Sequence, residues 1–251
     1  MKEEPKIYPY LTVEEMRKRR DLIEDIPEQG GGSRFEGSTV SDLALKYFKK
    51  DEKILECGSV FGSFSKFMTD QGYQNYHVLD QADMLHFPDR SKFKFNIVDF
   101  NMEKLPYDDN FFDGATAWGL GEHLENPFHF TREIWRVMKP GAIYLFSLLN
   151  IHHLSSRINF LLKGVFPRWS LKSNHITILP NGVIEKTIYR YFDLIEVIYT
   201  KPGTMATRKL KWFPRNMFDK AMEKILPSNE LFGNYVCYVL KKKEPEDSPK
   251  Y

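Results

Sequence analysis

Glu56 closes the apolar run Lys53-Ile54-Leu55-Glu56-Cys57, and Gly58, Ser59 and Gly62 follow it before the next helical pattern begins. An acid at a strand end, then a glycine turn opening a helix, lets a ligand come close to the backbone at one point. Asp80 ends the following apolar run, 24 residues after Glu56. At that position a carboxylate can accept hydrogen bonds from both hydroxyls of a ribose. The chemistry expected from this first constellation is capture of a nucleoside-bearing ligand.

A second constellation lies further along the chain. His123 follows a later apolar run, where an imidazole can act as a base near neutral pH; the plainer expectation is that it orients its own loop. From Ile151 to Ile184 there is no acidic residue, while Arg157, Lys163, Arg168, Lys172 and the histidines His152, His153 and His175 fall inside. Arg157, Arg168 and His175 are therefore expected to contact an anionic acceptor. No carboxylate is near these histidines in sequence and no HExxH spacing occurs, so no metal site is expected.

These residues need a scaffold, and the patterning supplies one. Strands are predicted at Lys53 to Cys57, Tyr76 to Asp80, Lys94 to Asp99, Asp113 to Trp118 and Ala142 to Leu149, with helices at Ser63 to Gln71 and Pro127 to Met138 between them. Lys139-Pro140-Gly141 stops the second of these helices. Apolar runs such as AIYLFSLL belong to a sheet covered on both faces, and the alternation is that of βαβ units. Ser38 is expected to cap a helix from Thr39 to Phe48 that buries Leu43, Leu45, Tyr47 and Phe48. Further helices are expected at Val13 to Ile23, Pro180 to Tyr191 and Asn216 to Ile225, and further strands at Leu194 to Tyr199 and Tyr235 to Leu240.

Four blocks in order, ILECGSVFG, VLD, VDFNMEKLPYDDNFFDGATA and EHLENPFHFTREIWRVMKPGAIYLFSLLN, resemble the S-adenosylmethionine-dependent methyltransferases of the ubiquinone/menaquinone-biosynthesis type. The resemblance implies a Rossmann-like seven-stranded class I fold with helices on both faces. It implies S-adenosyl-L-methionine as cofactor, with Glu56, Gly58, Ser59, Gly62 and Asp80 around it. Asp99 would meet the adenine amino group with Phe100 beside it, and Trp118 would line the pocket. The stretch Leu105, Pro106, Asp109, Phe112 and Asp113 follows the family pattern. One departure stands out: Val60 occupies the middle glycine of the family's acid-x-Gly-x-Gly-x-Gly turn. If that position needs positive φ, a β-branched residue obstructs it. The short span from Gln81 to Phe93 also leaves little room for a helix between the second and third strands.

Composition sets the outer limits. The 251 residues are 42% hydrophobic, enough for one α/β domain with appendages. Cys57 and Cys237 are the only cysteines, and both sit in apolar runs, which suits reduced core thiols in a cytoplasmic protein. The first 150 residues carry 19 basic against 25 acidic side chains and the rest carry 17 against 9, so the C-terminal part suits an anionic partner or the inner face of a membrane. The expected organisation is a helical arm over 1–37, a methyltransferase domain over 38–243 with an insert at about 151–192, and a disordered tail over 244–251.

Ile151, Leu154, Ile158, Leu161, Leu162 and Val165 recur at helical spacing. A helix packing this face on the sheet is the first expectation, and a peripheral headgroup contact through 155–174, with Phe160, Phe166 and Trp169 among the basic residues, is the second. The insert and the SNHITIL segment also resemble methyltransferases of polysaccharide and lipopolysaccharide biosynthesis. The expected reaction is methyl transfer to an oxygen or nitrogen of a glycan, lipid-linked sugar or isoprenoid-type acceptor. The rivals are a binding protein that kept the fold but lost turnover, and a nucleic-acid methyltransferase. The latter is disfavoured because WGLGEHLENP stands where base-modifying relatives carry an NPPY-like motif.

Overall fold

Residues 37–85, 90–169, 173–200, 225 and 228–244 are described by the structure, a computed structural model. The expected helix at Val13 to Ile23 and all but Ile225 of the one expected at Asn216 to Ile225 lie outside these residues, as does the tail from residue 245. Helix α1 (Thr39–Tyr47) starts where Ser38 accepts the Ser41 N–H at 3.2 Å, the N-cap read from the sequence. Leu43 and Phe48 are buried as expected, but Leu45 faces solvent and Tyr47 is half-buried. Residue 45 points away because the buried stripe of this short helix runs through Ser41, Leu43 and Ala44.

The chain then alternates through β1 (Lys53–Cys57), α2 (Ser63–Asp70), β2 (Asn75–Asp80), β3 (Lys94–Ile97), β4 (Phe112–Trp118), α3 (Pro127–Val137) and β5 (Met138–Leu149). It continues with α4 (Leu154–Lys163), α5 (Asn181–Thr187), β6 (Phe192–Tyr199), α6 (Asn229–Phe232) and β7 (Tyr235–Lys242). The strands form one sheet in the order β3-β2-β1-β4-β5-β7-β6. Strands β1 to β5 run parallel, and β7 inserts antiparallel between β5 and β6. Strand β5 begins at Met138, earlier than Ala142: Lys139, Pro140 and Gly141 end α3 and are then drawn into the strand after a register shift between Phe112 and Gly114 of β4.

Two apolar clusters cover the two faces of the sheet. One gathers Leu55, Cys57, Leu79, Phe100, Phe112, Ile134 and Tyr144; the other gathers Leu43, Ile54, Phe64, Met68, Tyr76, Val78 and Leu145. Gly114 shows how closely they pack, since a Cβ there would stand 2.5 Å from the Phe48 ring. Both cysteines are buried free thiols. Strand order reverses between β1 and β4, so their carboxyl ends open the crevice in which doubly wound sheets bind ligands.

Helix α4 forms where the periodicity places it, but it does not pack on the sheet. Ser156 is its one buried residue, while Leu161 is 83% exposed and Leu162 72%. Ile158, Phe160 and Val165 are exposed too. The expected packing is thus corrected. The His153 side chain caps the helix by accepting the Ser155 N–H, and Arg157 ties it to Glu230, so the helix is fixed at its first turns and its apolar face stays outward.

Candidate active site

The turn after β1 brings Gly58, Val60 and Gly62 all to positive φ, at 79°, 51° and 74°. This alternation folds the chain tightly enough for Gly62 N–H to reach Ser59 O at 2.8 Å before α2 begins. Gly58 donates to Leu79 O at 2.9 Å, locking the turn to the end of β2. A side chain at Gly58 would meet Leu120 at 3.1 Å, from the loop after β4. The positive φ would strain any side chain there, and Leu120 would have to give by a few tenths of an ångström to admit one. Val60 adopts the conformation that glycine normally supplies, and its side chain is 40% exposed at the mouth of the crevice.

Asp80 lies 7% exposed at the end of β2. Its Oδ2 accepts the Val60 N–H at 2.7 Å and its Oδ1 accepts the Ala82 N–H at 3.4 Å. Burial raises its pKa against these hydrogen bonds, and Ser59, also buried, faces it. Glu56 points into the protein under the turn, where the Ser65 hydroxyl donates to its Oε2 at 2.6 Å. Burial pushes its carboxyl up to about 7. Glu56 therefore fastens the start of α2 to the end of β1.

Asp99 begins a turn, accepting Asn101 N–H at 2.8 Å and the Gln81 amide at 3.2 Å on its Oδ1. Phe100 departs from its expected place beside adenine. It is 1% exposed and packs edge-on against Phe130 at 5.2 Å, so its ring serves the core. Trp118 ends β4 against Phe64 at 5.7 Å, and its indole N–H is buried without an acceptor. A buried donor without a partner costs about 1–3 kcal/mol, and at the mouth of a ligand crevice it marks a place for a ligand's acceptor.

The loop after β4 holds the second constellation. Gly121–His123 form one 3-10 turn, and the chain returning from the insert is laced to it. Ile176 and Thr177 N–H both donate to Glu122 O, at 2.8 and 3.0 Å, and the Thr177 hydroxyl bonds Leu124 O. This brings His175 beside His123 with ring centroids 4.7 Å apart. Burial drives His123 down to about 4 and lowers His175 as well, so both are neutral imidazoles at physiological pH. His123 is thus a weak base. Glu122, which the sequence reading passed over, is 3% exposed, has its carboxyl raised to about 7 by burial, and carries an unbonded Oε2. Its adjacency to His123 was the only sequence signal; its burial comes from the insert folding back.

Arg157 and Arg168, both expected with His175 to contact an anionic acceptor, are engaged by different partners, and His175 Nδ1 bonds Arg168 O at 2.7 Å. Arg157 bonds His152 O and Glu230 on the outside of α4. Arg168 is held by Asn234 on the loop before β7, and burial lowers its pKa. Arg157 borders a separate cavity of about 540 Å³ lined by Ile151, His152, Phe160, Leu161 and Phe166.

The sheet order, the glycine turn and the strand-end acids agree with the known proteins that this chain resembles. Residues 55–146 match the sequence model of the methyltransferase domain family. The chain carries a class I methyltransferase domain. S-adenosylmethionine is the cofactor of such domains. An uncharacterised protein of Methanocaldococcus jannaschii is 28% identical over 210 residues, 80% of each chain. An uncharacterised methyltransferase of Schizosaccharomyces pombe is 32% identical over 117 residues, 41% of this chain and 42% of its own. A methyltransferase of Archaeoglobus fulgidus that depends on S-adenosylmethionine has the same fold with a TM-score of 0.57 at 18% identity, over 84% of this chain and 92% of its own. The domain's residues fit this cofactor: a tight turn flanked by Gly58 and Gly62, a buried acid and the unpartnered Trp118 N–H lie at the carboxyl ends of the neighbouring strands β1, β2 and β4, with Val60 at positive φ inside the turn. No helix among the described residues is long and apolar enough to cross a membrane.

Proposed function

We propose that the protein transfers a methyl group from S-adenosylmethionine to an oxygen or nitrogen of a small acceptor, namely a glycan, a lipid-linked sugar or an isoprenoid-type lipid. The observation that carries this reading is the turn at 58, 60 and 62, all at positive φ, with its middle N–H held by Asp80. When bound, the cofactor supplies an electrophilic sulfonium methyl. Asp80 would hold the ribose hydroxyls while keeping the turn closed, Asp99 would hold the adenine edge, and Trp118 would offer its free N–H. The acceptor enters from the side of the loop at 119–126 and the insert. Alignment and exclusion of water there contribute most to the rate, which suits a site whose imidazoles are held neutral by burial.

The outward apolar face of α4, with Lys163 at its end and Arg157 beside it in a pair with Glu230, supports a peripheral contact with an anionic lipid surface from which a lipid-linked acceptor would be taken. The deciding experiment is calorimetric titration with S-adenosylmethionine and its demethylated product, followed by incubation with radiolabelled cofactor and fractionated cell extract. Label in glycolipid or isoprenoid fractions is the expected result; label in nucleic acid would redirect the assignment. A second reading, a binding protein without turnover, is favoured by Val60 alone. It predicts no heat of binding at millimolar cofactor.

A further inference from the structure

Glu122, His123 and His175 each offer one ligand atom within 4.8 Å of the other two, a grouping that the sequence reading did not anticipate. Its two imidazoles are already oriented by their other nitrogens. His123 Nδ1 lies 3.3 Å from Asn174 O, and His175 Nδ1 lies 2.7 Å from Arg168 O. A carbonyl oxygen can only accept, so each Nδ1 carries the proton and each Nε2 keeps its lone pair. Histidines that ligate metals are fixed in this way, one nitrogen donating to a backbone carbonyl and the other facing the ion. The third member supplies an independent sign: Glu122 Oε2 is buried and has no hydrogen-bond partner. A buried carboxylate oxygen left unbonded is costly, and a cation is the partner that its chemistry calls for.

We propose that Glu122, His123 and His175 form a three-ligand site for a divalent transition-metal ion, with zinc as the best match. Two imidazoles and one carboxylate suit zinc and leave a fourth position open for water or a ligand. Ligand bonds of about 2.0–2.2 Å place tetrahedral donors roughly 3.4 Å apart. The ligand atoms, now within 4.8 Å of one another, would have to draw together to reach that spacing, and the backbone that carries them is already laced together at Glu122 O. Arg168 is the cation that acts on Glu122, and its guanidinium is engaged by Asn234 and lies 5.9 Å from the Tyr235 ring. Glu122 and His123 stand in the turn after β4, the side from which the proposed acceptor would enter, so under that reading an acceptor oxygen or phosphate would be the natural fourth ligand.

The test uses the full chain, stripped with a chelator and titrated with zinc chloride alone, which keeps it independent of methyl transfer. One equivalent of zinc is expected to bind and to raise the melting midpoint. Glu122→Gln and His175→Ala should weaken binding by roughly a hundredfold or more, beyond the ten- to hundredfold cost of losing an outer-shell partner. His129→Ala, on the exposed side of α3 with its Nε2 on Glu103 O, should bind as the wild type does. Cobalt substitution adds a readout that needs no variant to fold, since tetrahedral ligation by nitrogen and oxygen gives strong visible ligand-field bands. Absence of these bands in the wild type, no zinc binding, or binding that survives His175→Ala would each overturn the site.

Discussion

The Val60 N–H donates to Asp80 Oδ2 at 2.7 Å while Val60 itself sits at φ 51°. The carboxylate proposed to bond a ribose therefore holds a β-branched residue in the left-handed region. Under that proposal, turn shape and cofactor capture are coupled through one side chain.

Replacing Val60 by glycine should stabilise the protein. A strained φ costs on the order of 1–3 kcal/mol, and glycine returns about 0.5–1 of that in chain entropy. A net gain of about 1 kcal/mol is expected, seen as a higher melting midpoint, together with tighter binding of S-adenosylmethionine by calorimetry. A lower midpoint would show that the valine side chain packs usefully and that the strain is not the dominant effect.

Asp80→Asn keeps the shape of the side chain but removes its charge. Each charge-assisted bond to a hydroxyl is worth about 1.5–3 kcal/mol, so cofactor affinity should fall roughly 10- to 100-fold. Titration of the wild type and variant checks this. Unchanged affinity would mean that Asp80 serves only the turn.

Glu56 gives a pH dependence of stability. Its carboxyl titrates at about 7 in the folded protein because burial disfavours the charge, against the ordinary 4.5 in the unfolded chain. Between these values the folded state holds the extra proton, so stability falls as pH rises from about 4.5 to 7, by roughly 3 kcal/mol across the window. Glu122 titrates in the same window, so Glu56→Gln should reduce that slope to about half and leave the remainder. Urea unfolding at intervals across the range would show it, and an identical slope in the variant would assign the dependence elsewhere.

The face of α4 makes the last prediction. Leu161→Ser with Leu162→Ser should leave the melting midpoint unchanged, since both side chains are exposed in the folded protein. Each leucine transferred from water to an apolar layer contributes about 1.5–3 kcal/mol, so sedimentation with vesicles containing anionic lipid should weaken markedly. Equal sedimentation of variant and wild type would reject the membrane contact. A lower midpoint would instead place these leucines against protein.

Much of the fold was written locally. Strand β1 has the bounds that its apolar run predicts, β2, β3 and β4 come within two residues of theirs, and Ser38 caps the helix for which its type suits it. Asp80 was legible for the same reason, because the end of a parallel strand is a place that spacing alone can find. Side-chain direction and long-range return were not local. Phe100 could stack on a ligand or fill the core, and only Phe130 arriving from α3 settles it. Periodicity identified α4 but could not say that its apolar stripe would meet no partner on the sheet. The separation of 51 positions between His123 and Asn174 hid the pairing of the two histidines until the insert folded back onto Glu122. The sequence by itself determined the order of strands and helices, the strand-end acids and the presence of valine in the glycine turn, since these depend on neighbours along the chain. Only the tertiary structure decided that Val60 takes positive φ, that Glu56 turns inward and that Glu122 is buried, because dihedral strain and desolvation are set by what packs from elsewhere.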